Sequence, residues 1–173
     1  MWIETIHILI LADRKNNDRL LGGNNMIYKV SDVEQFQAQK EFIDTAIVPL
    51  VQLDFSELGM KQTGSASEYL MSLTTFVEQQ FRGRLMLLPP FSYTKLTKSS
   101  ELAITIEKEL KESGFKSVVF MTCDHEWTEL KEQLNILWLP AIPLESMDKT
   151  VKQRILEDQL KQVIPVLTSV WVN

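Results

Sequence analysis

The stretch Gln79-Gln80-Phe81-Arg82-Gly83-Arg84-Leu85-Met86-Leu87-Leu88-Pro89-Pro90-Phe91-Ser92-Tyr93 constrains the fold more than any other part of the chain. A polar helix end meets a glycine, the residue that most easily takes the left-handed conformation closing a helix. A short, wholly apolar run follows, as expected of a strand buried on both faces. Two prolines then stop it. This is one helix–turn–strand–loop unit of a parallel α/β sheet.

The unit recurs along the chain. Ser31-Asp32-Val33-Glu34 has the spacing of a capping box and predicts a helix to about Phe42. Thr45-Ala46-Ile47-Val48-Pro49-Leu50-Val51 reads as the first strand. Pro49 cannot donate to a ladder, which places it at an edge, at a bulge or beyond the strand's end. Asp54 to Gly64 reads as a polar loop, and Ser65-Ala66-Ser67-Glu68 as a second capping box. Behind that box Tyr69, Leu70, Leu73, Phe76, Val77 and Phe81 keep one helical face apolar. Residues 84–88 form the second strand. A helix starts at Ser99 or Ser100 and closes at Gly114, and residues 116–122 make the cleanest buried strand. Asp124 caps a short helix through Leu134, and residues 135–139 are the fourth strand, stopped by Pro140 and Pro143. A long last helix begins near Asp148, with a kink expected at Pro165. Four apolar strands separated by amphipathic helices predict a three-layer α/β sandwich. Its sheet is mostly parallel, flavodoxin-like or Rossmann-like, with a long C-terminal helix. Residues 26–173 read as a single domain.

The 173 residues carry a net charge of −5 and no large Lys/Arg cluster, which argues against nucleic acid and anionic membranes as partners. The single cysteine excludes an internal disulfide and fits a reducing cytoplasm. No apolar stretch is long enough to span a bilayer. Residues 1–25 stand apart. The run Ile6–Ala12 lacks the basic flank of a signal peptide. Leu21-Gly22-Gly23-Asn24-Asn25-Met26 can be encoded by TTA-GGA-GGN-AAY-AAY-ATG, a purine-rich ribosome-binding site spaced before a start codon. Residues 1–25 are therefore read as a translated leader or disordered extension, with the natural start at Met26.

In open parallel sheets ligands bind outside the carboxyl ends of the strands. The segments that land there bring Ser92, Tyr93, Asp124, His125 and Trp127 to one rim, and these are the candidate ligand-site residues. Cys123-Asp124-His125 looks like a nucleophile beside a base, but adjacent side chains on extended backbone point apart. The simpler reading makes Cys123 a small strand residue and Asp124 an N-cap. His7 and His125 are the only histidines, so no metal site and no cofactor is expected. Gly59 and Gly64 match the glycines of a Walker A loop. Ser65 stands in place of its Lys, however, and Ala66 in place of its magnesium-binding hydroxyl. What remains is a candidate anion-binding helix start at Gly64, Ser65 and Ser67.

Residues Asp32-Val33, Glu41–Leu50, Ser65–Glu68, Gln80–Arg84 and Leu88–Tyr93 together resemble the YpiF-like family of Bacillus-type bacteria, small cytoplasmic proteins of unknown function. The resemblance continues less distinctly through Phe120–Asp124 and Trp127. It implies a start near Met26 and carries over no catalytic residues. The leading functional expectation is a non-catalytic regulatory or protein-interaction role, with an unidentified protein partner or a homo-oligomer. The alternative is an enzyme acting on a small polar or anionic metabolite at the strand-end loops.

Overall fold

The computed structural model describes residues 25–172. The leader assignment and His7 fall outside them, save for Asn25. In chain order the elements are α1 (Val30–Ala38), β1 (Thr45–Gln52), α2 (Glu57–Gln80), β2 (Leu85–Leu87), β3 (Phe91–Tyr93) and α3 (Ser100–Ser113). They continue with β4 (Ser117–Thr122), a 3-10 helix (His125–Leu130), β5 (Asn135–Trp138) and α4 (Lys149–Val172).

All strand pairs are parallel, in the order β2-β1-β4-β5, with β3 also on β1. The sheet thus has five strands rather than four, because the Pro89-Pro90 step cuts one edge into two short pieces. β2 pairs residues 45–47 of β1, and β3 pairs residues 50–52. Pro49 lies inside the central strand, opposite Met121, and of the three expected settings it takes the bulge: residues 48–49 of β1 face three residues, 88–90, on the other side. The ladder explains how it is tolerated. Thr45 N donates to Arg84 O and Leu53 N to Tyr93 O, so odd-numbered amides of this strand face β2 and β3. The amide that Pro49 lacks would have pointed at the Leu88-Pro89-Pro90 break, where no ladder partner is needed.

Alternation along the strands divides the core between the two faces. Ile47 and Val51 of β1 and Val119 and Met121 of β4 pack under α2 and α4 with Tyr69, Leu73, Val77, Val163 and Leu167. Ala46, Val48 and Leu50, with Val118 and Phe120, pack under α1 and α3 with Phe36, Ala103, Ile106 and Trp127. Right-handed crossovers account for this arrangement. The chain moves from β1 outward to β2, then reverses across β1 to β4, so α2 and α3 cover opposite faces.

Several local expectations need correction. α1 starts after Lys29 with no side-chain cap and ends at Ala38, four residues before Phe42. Ser31, the expected N-cap, lies inside the helix, and its neighbour Asp32 is buried with Oδ2 accepting from Ile27 N at 2.9 Å. α2 begins at Glu57, so the Ser65-Ala66-Ser67-Glu68 segment is helix interior. The Asp124-capped helix is a 3-10 turn ending at Leu130. α4 runs as one helix with Pro165 inside it, as expected, between the buried Val163 and Leu167. Gly83 takes φ 87° in the α2–β2 turn, the conformation that a glycine was needed for. No helix among the described residues is long and apolar enough to cross a membrane.

Candidate functional site

The winding reversal lies between β1 and β4, and the loops that follow these two strands open a crevice at their carboxyl ends. In this architecture such a switch point is where ligands bind. The crevice encloses about 220 Å3 and is walled by Gln52, Gln62, Thr63, Ser67, Cys123 and Asp124. That volume is below the range of typical ligand pockets.

The first turns of α2 form one wall, and a local turn sets their position. Asp54 Oδ1 accepts from Ser56 N at 2.9 Å, and Ser56 Oγ caps the helix by accepting from Gly59 N at 3.1 Å. Thr63 Oγ1 accepts from Asp54 N at 3.3 Å. A Cβ on Gly59 would run into the Asp54 carboxylate, so glycine at 59 permits the close approach of loop and helix. The hydrogen bond from the Ser56 amide holds the Asp54 carboxyl below its usual range.

This geometry overturns the candidate anion site. Gly64, Ser65 and Ser67 lie two turns inside α2, where their amides belong to the helix ladder and are not free for an anion. The true start takes Ser56 as its cap. Ser65 Oγ instead donates to Glu145 Oε2 at 3.0 Å, and Ser67 lines the crevice.

The rim residues separate into those that meet and those that do not. Tyr93, Asp124 and Trp127 come together. Tyr93 Oη donates to Asp124 Oδ2 at 2.8 Å and accepts from Trp127 Nε1 at 2.6 Å, with the two rings edge to face at 5.4 Å. Lys98 completes the group, its Nζ 3.0 Å from Asp124 Oδ2 and 2.8 Å from Glu126 Oε2. Asp124 Oδ1 accepts from Glu126 N, which makes Asp124 the N-cap of the 3-10 helix. Nothing in the sequence pattern singles out Lys98; it precedes an N-cap serine and joins the group only through folding. Ser92 sits between two half-buried or buried neighbours in β3 but is itself exposed, its alternate position turning it from the Tyr93 side. His125 stands edge-on to Trp138 at 4.9 Å.

Electrostatically the group is self-contained. Burial disfavours the Asp124 carboxylate, yet hydrogen bonds from Lys98, Tyr93 and the Glu126 amide outweigh it and lower its pKa. Burial also works against the charge on Lys98, and the carboxylates of Glu126 and Asp124 outweigh it, leaving the ammonium strengthened. Burial raises Tyr93, with Asp124 adding to the effect. Cys123 is half-buried against α2, and desolvation pushes its thiol up to about 12, which makes it a poor nucleophile. Among the described residues no three His, Cys, Asp or Glu side chains converge to hold a metal ion.

A second concavity lies on the helical layer. α2 and α4 border a groove of about 1010 Å3, with Phe76, Leu160, Ile164, Pro165 and Val172 as its apolar lining. Gln80, Gln153, Glu157, Lys161, Thr168 and Ser169 complete the lining with polar groups. Residues 160, 163 and 167 of α4 are buried against the core, as the apolar period of that helix implies. That period does not show that the adjoining strip remains uncovered.

No solved structure matches the chain. An uncharacterised protein, YpiF, from Bacillus subtilis (strain 168) is 27% identical over 149 residues, covering 84% of this chain and 98% of that protein. Residues 34–171 match the model of a family described as a protein of unknown function, DUF2487. That match spans both layers of helices and all five strands, and the chain belongs to this YpiF-like family.

Proposed function

We propose that the protein has a non-catalytic, protein-interaction role, worked through the groove between α2 and α4, and that its occupant is the same face of α4 in a second copy. The observation that carries this reading is the contrast between the two concavities. The polar groups at the strand ends are bound to one another, whereas the groove offers an apolar floor that nothing in the described chain covers. The charge pattern favours a second copy. Glu157 and Lys161 stand one turn apart on the groove face of α4. A twofold antiparallel crossing near Gln159 sets each Glu157 against the partner's Lys161, as a self-complementary isologous contact requires. Lys161 also reaches Asp158 of its own helix at 2.7 Å, an exposed pair that contributes little. The lone cysteine and the acidic charge balance support a cytoplasmic setting without nucleic acid.

Sedimentation over a range of protein concentration tests this. A reversible dimer is expected, weakened by Lys161→Glu and restored by combining it with Glu157→Lys. A chain that stays monomeric at the highest concentration, or a dimer indifferent to both changes, overturns the proposal.

One observation favours a second reading, an enzyme acting on a small polar or anionic metabolite: the crevice stands at the β1/β4 switch point. Asp124 or His125 would serve as acid or base there, with Ser92 and Tyr93 as donors. The mutual hydrogen bonding of Tyr93, Asp124 and Lys98, and the lowered pKa of Asp124, weigh against it. A thermal-shift screen with phosphorylated and carboxylated metabolites discriminates, since the absence of any stabilising ligand removes this reading.

A further inference from the structure

Glu78 belongs to neither concavity and is fully buried in α2. Its Oε1 accepts from the backbone N of Met26 at 2.7 Å. Its Oε2 has no partner among the described residues, and neither does Nε of the nearby Arg82. A second buried carboxylate, Asp32, accepts from the next amide, Ile27 N, at 2.9 Å. Two carboxylates thus converge on successive backbone nitrogens. Desolvation raises the Glu78 carboxyl, the Met26 amide and Arg82 oppose that rise, and Asp32 adds to it. A neutral peptide N–H supplies one proton to this site and no charge. Leaving a buried carboxylate so thinly compensated is costly.

We propose that Glu78 is the receptor of the chain's own α-amino group, and that the folded protein in the cell begins at Met26. An α-ammonium at the Met26 nitrogen brings a positive charge and three protons to the atom that already touches Oε1. It can then serve the orphaned Oε2 as well, and 2.7 Å lies in the range of a charge-assisted bond. Met26 itself is well anchored. Leu87 N donates to Met26 O at 3.0 Å and Tyr28 N to Leu87 O at 3.2 Å, so residues 26–28 run along β2.

The family comparison agrees, and the codons allow it. The Bacillus relative is covered over 98% of its own length while 16% of this chain, the remainder of the 84% that aligns, falls outside. The family match runs to residue 171, so that excess lies before it. The codons available to Gly22–Met26 can also spell a ribosome-binding site followed by a start. An initiating Met is normally trimmed only before a small residue, and Ile27 is large, so a chain started at Met26 keeps it.

Mass-spectrometric labelling of free α-amines, on protein expressed from its own upstream nucleotide sequence, is the first test. A labelled Met26 is expected, and a chain that starts only at Met1 overturns the proposal. The second test compares the chain begun at Met26 with the 173-residue chain, each with and without Glu78→Gln. The substitution should lower the melting temperature of the Met26-start chain by roughly 10 °C more than that of the longer one, as loss of a buried charge pair would. Nα-acetylation of the Met26-start chain, which keeps an N–H but removes the charge, should cause a similar drop without touching Glu78. Equal losses in both chains, or no effect of acetylation, would show that no ammonium is bound there.

Discussion

Replacing Tyr93 by Phe removes a single oxygen and tests whether the Tyr93–Asp124–Trp127 group holds the two strand ends together. The ring stays, and with it the edge-to-face contact with Trp127 at 5.4 Å. The loss is in hydrogen bonding. Trp127 is 3% exposed, and its Nε1–H would have no acceptor once the hydroxyl 2.6 Å away is gone. An orphaned buried donor costs about 1–3 kcal/mol. Asp124 Oδ2 also loses the Tyr93 donor, but Lys98 Nζ remains at 3.0 Å and the Glu126 amide holds Oδ1, so this part adds only about 1 kcal/mol. The total is about 2–4 kcal/mol, or roughly 5–15 °C in melting temperature for a chain of this size. Urea unfolding followed by tryptophan fluorescence and far-ultraviolet circular dichroism reads it as a fall in midpoint at constant slope. Ser92→Ala, one residue away and exposed, should stay within about 0.5 kcal/mol of the parent. In a double-mutant cycle with Trp127→Phe the second change should cost little once the first is made, because each removes half of the same bond. A loss below about 0.5 kcal/mol for Tyr93→Phe, with the bond intact in the parent, would refute the assignment of a structural role to this hydroxyl.

Asp124 sets an acid-sensitive part of the stability. Its carboxyl is lower in the folded chain than in the unfolded one, so its contribution is present above about pH 4 and fades as the pH falls through the depressed value; Asp124→Asn should flatten that acid limb in pH-dependent urea titrations. The two glycines of early α2 should respond oppositely to alanine. Gly64 has nothing within 4 Å of an added Cβ, and Gly64→Ala should stabilise by about 0.5–1 kcal/mol. Gly59→Ala displaces the Asp54 carboxylate from its turn and should fall about 1–2 kcal/mol below Gly64→Ala in the same unfolding assay. The Cys123 thiol, raised by burial to about 12, should resist an alkylating reagent at neutral pH in the folded chain and react fully in denaturant.

Much of the fold was legible because it follows from local chemistry and period. The Gly83 turn, the apolar Leu85–Leu87 run and the Pro89-Pro90 stop each act within a few residues, and each is found where the pattern put it. Ser99 and Asp124 cap their helices as read, their oxygens accepting from Leu102 N and Glu126 N. The run from Ser65 to Glu68 matches a capping box equally well and is not one. Sequence spacing cannot weigh two competing starts, and here Ser56, the Asp54 turn and the close approach at Gly59 extend α2 by two turns. Which of its three allowed settings Pro49 takes was open for a related reason. Whether a missing amide matters depends on what faces it, and only the pairing of β1 with the broken β2–β3 edge decides that.

The candidate site was half legible. Architecture alone put Tyr93, Asp124 and Trp127 on one rim, because parallel strands must end together. It could not distinguish inward from outward side chains at a strand's last residue, so Ser92 and His125 were grouped with them. Lys98 was invisible, since its meeting with Asp124 spans 26 residues and has no periodic signature. The burial of Glu78 lay equally out of reach, hidden in a helix whose neighbouring residues look amphipathic. The sequence by itself determined the class of fold, the order of its elements and the strand ends where polar groups gather, because periodicity and turn chemistry are short-ranged. Tertiary structure alone decided which of those groups are joined to one another and which apolar strip stays open. It alone brought a carboxylate in α2 to the Met26 nitrogen, because such contacts depend on how distant segments cross.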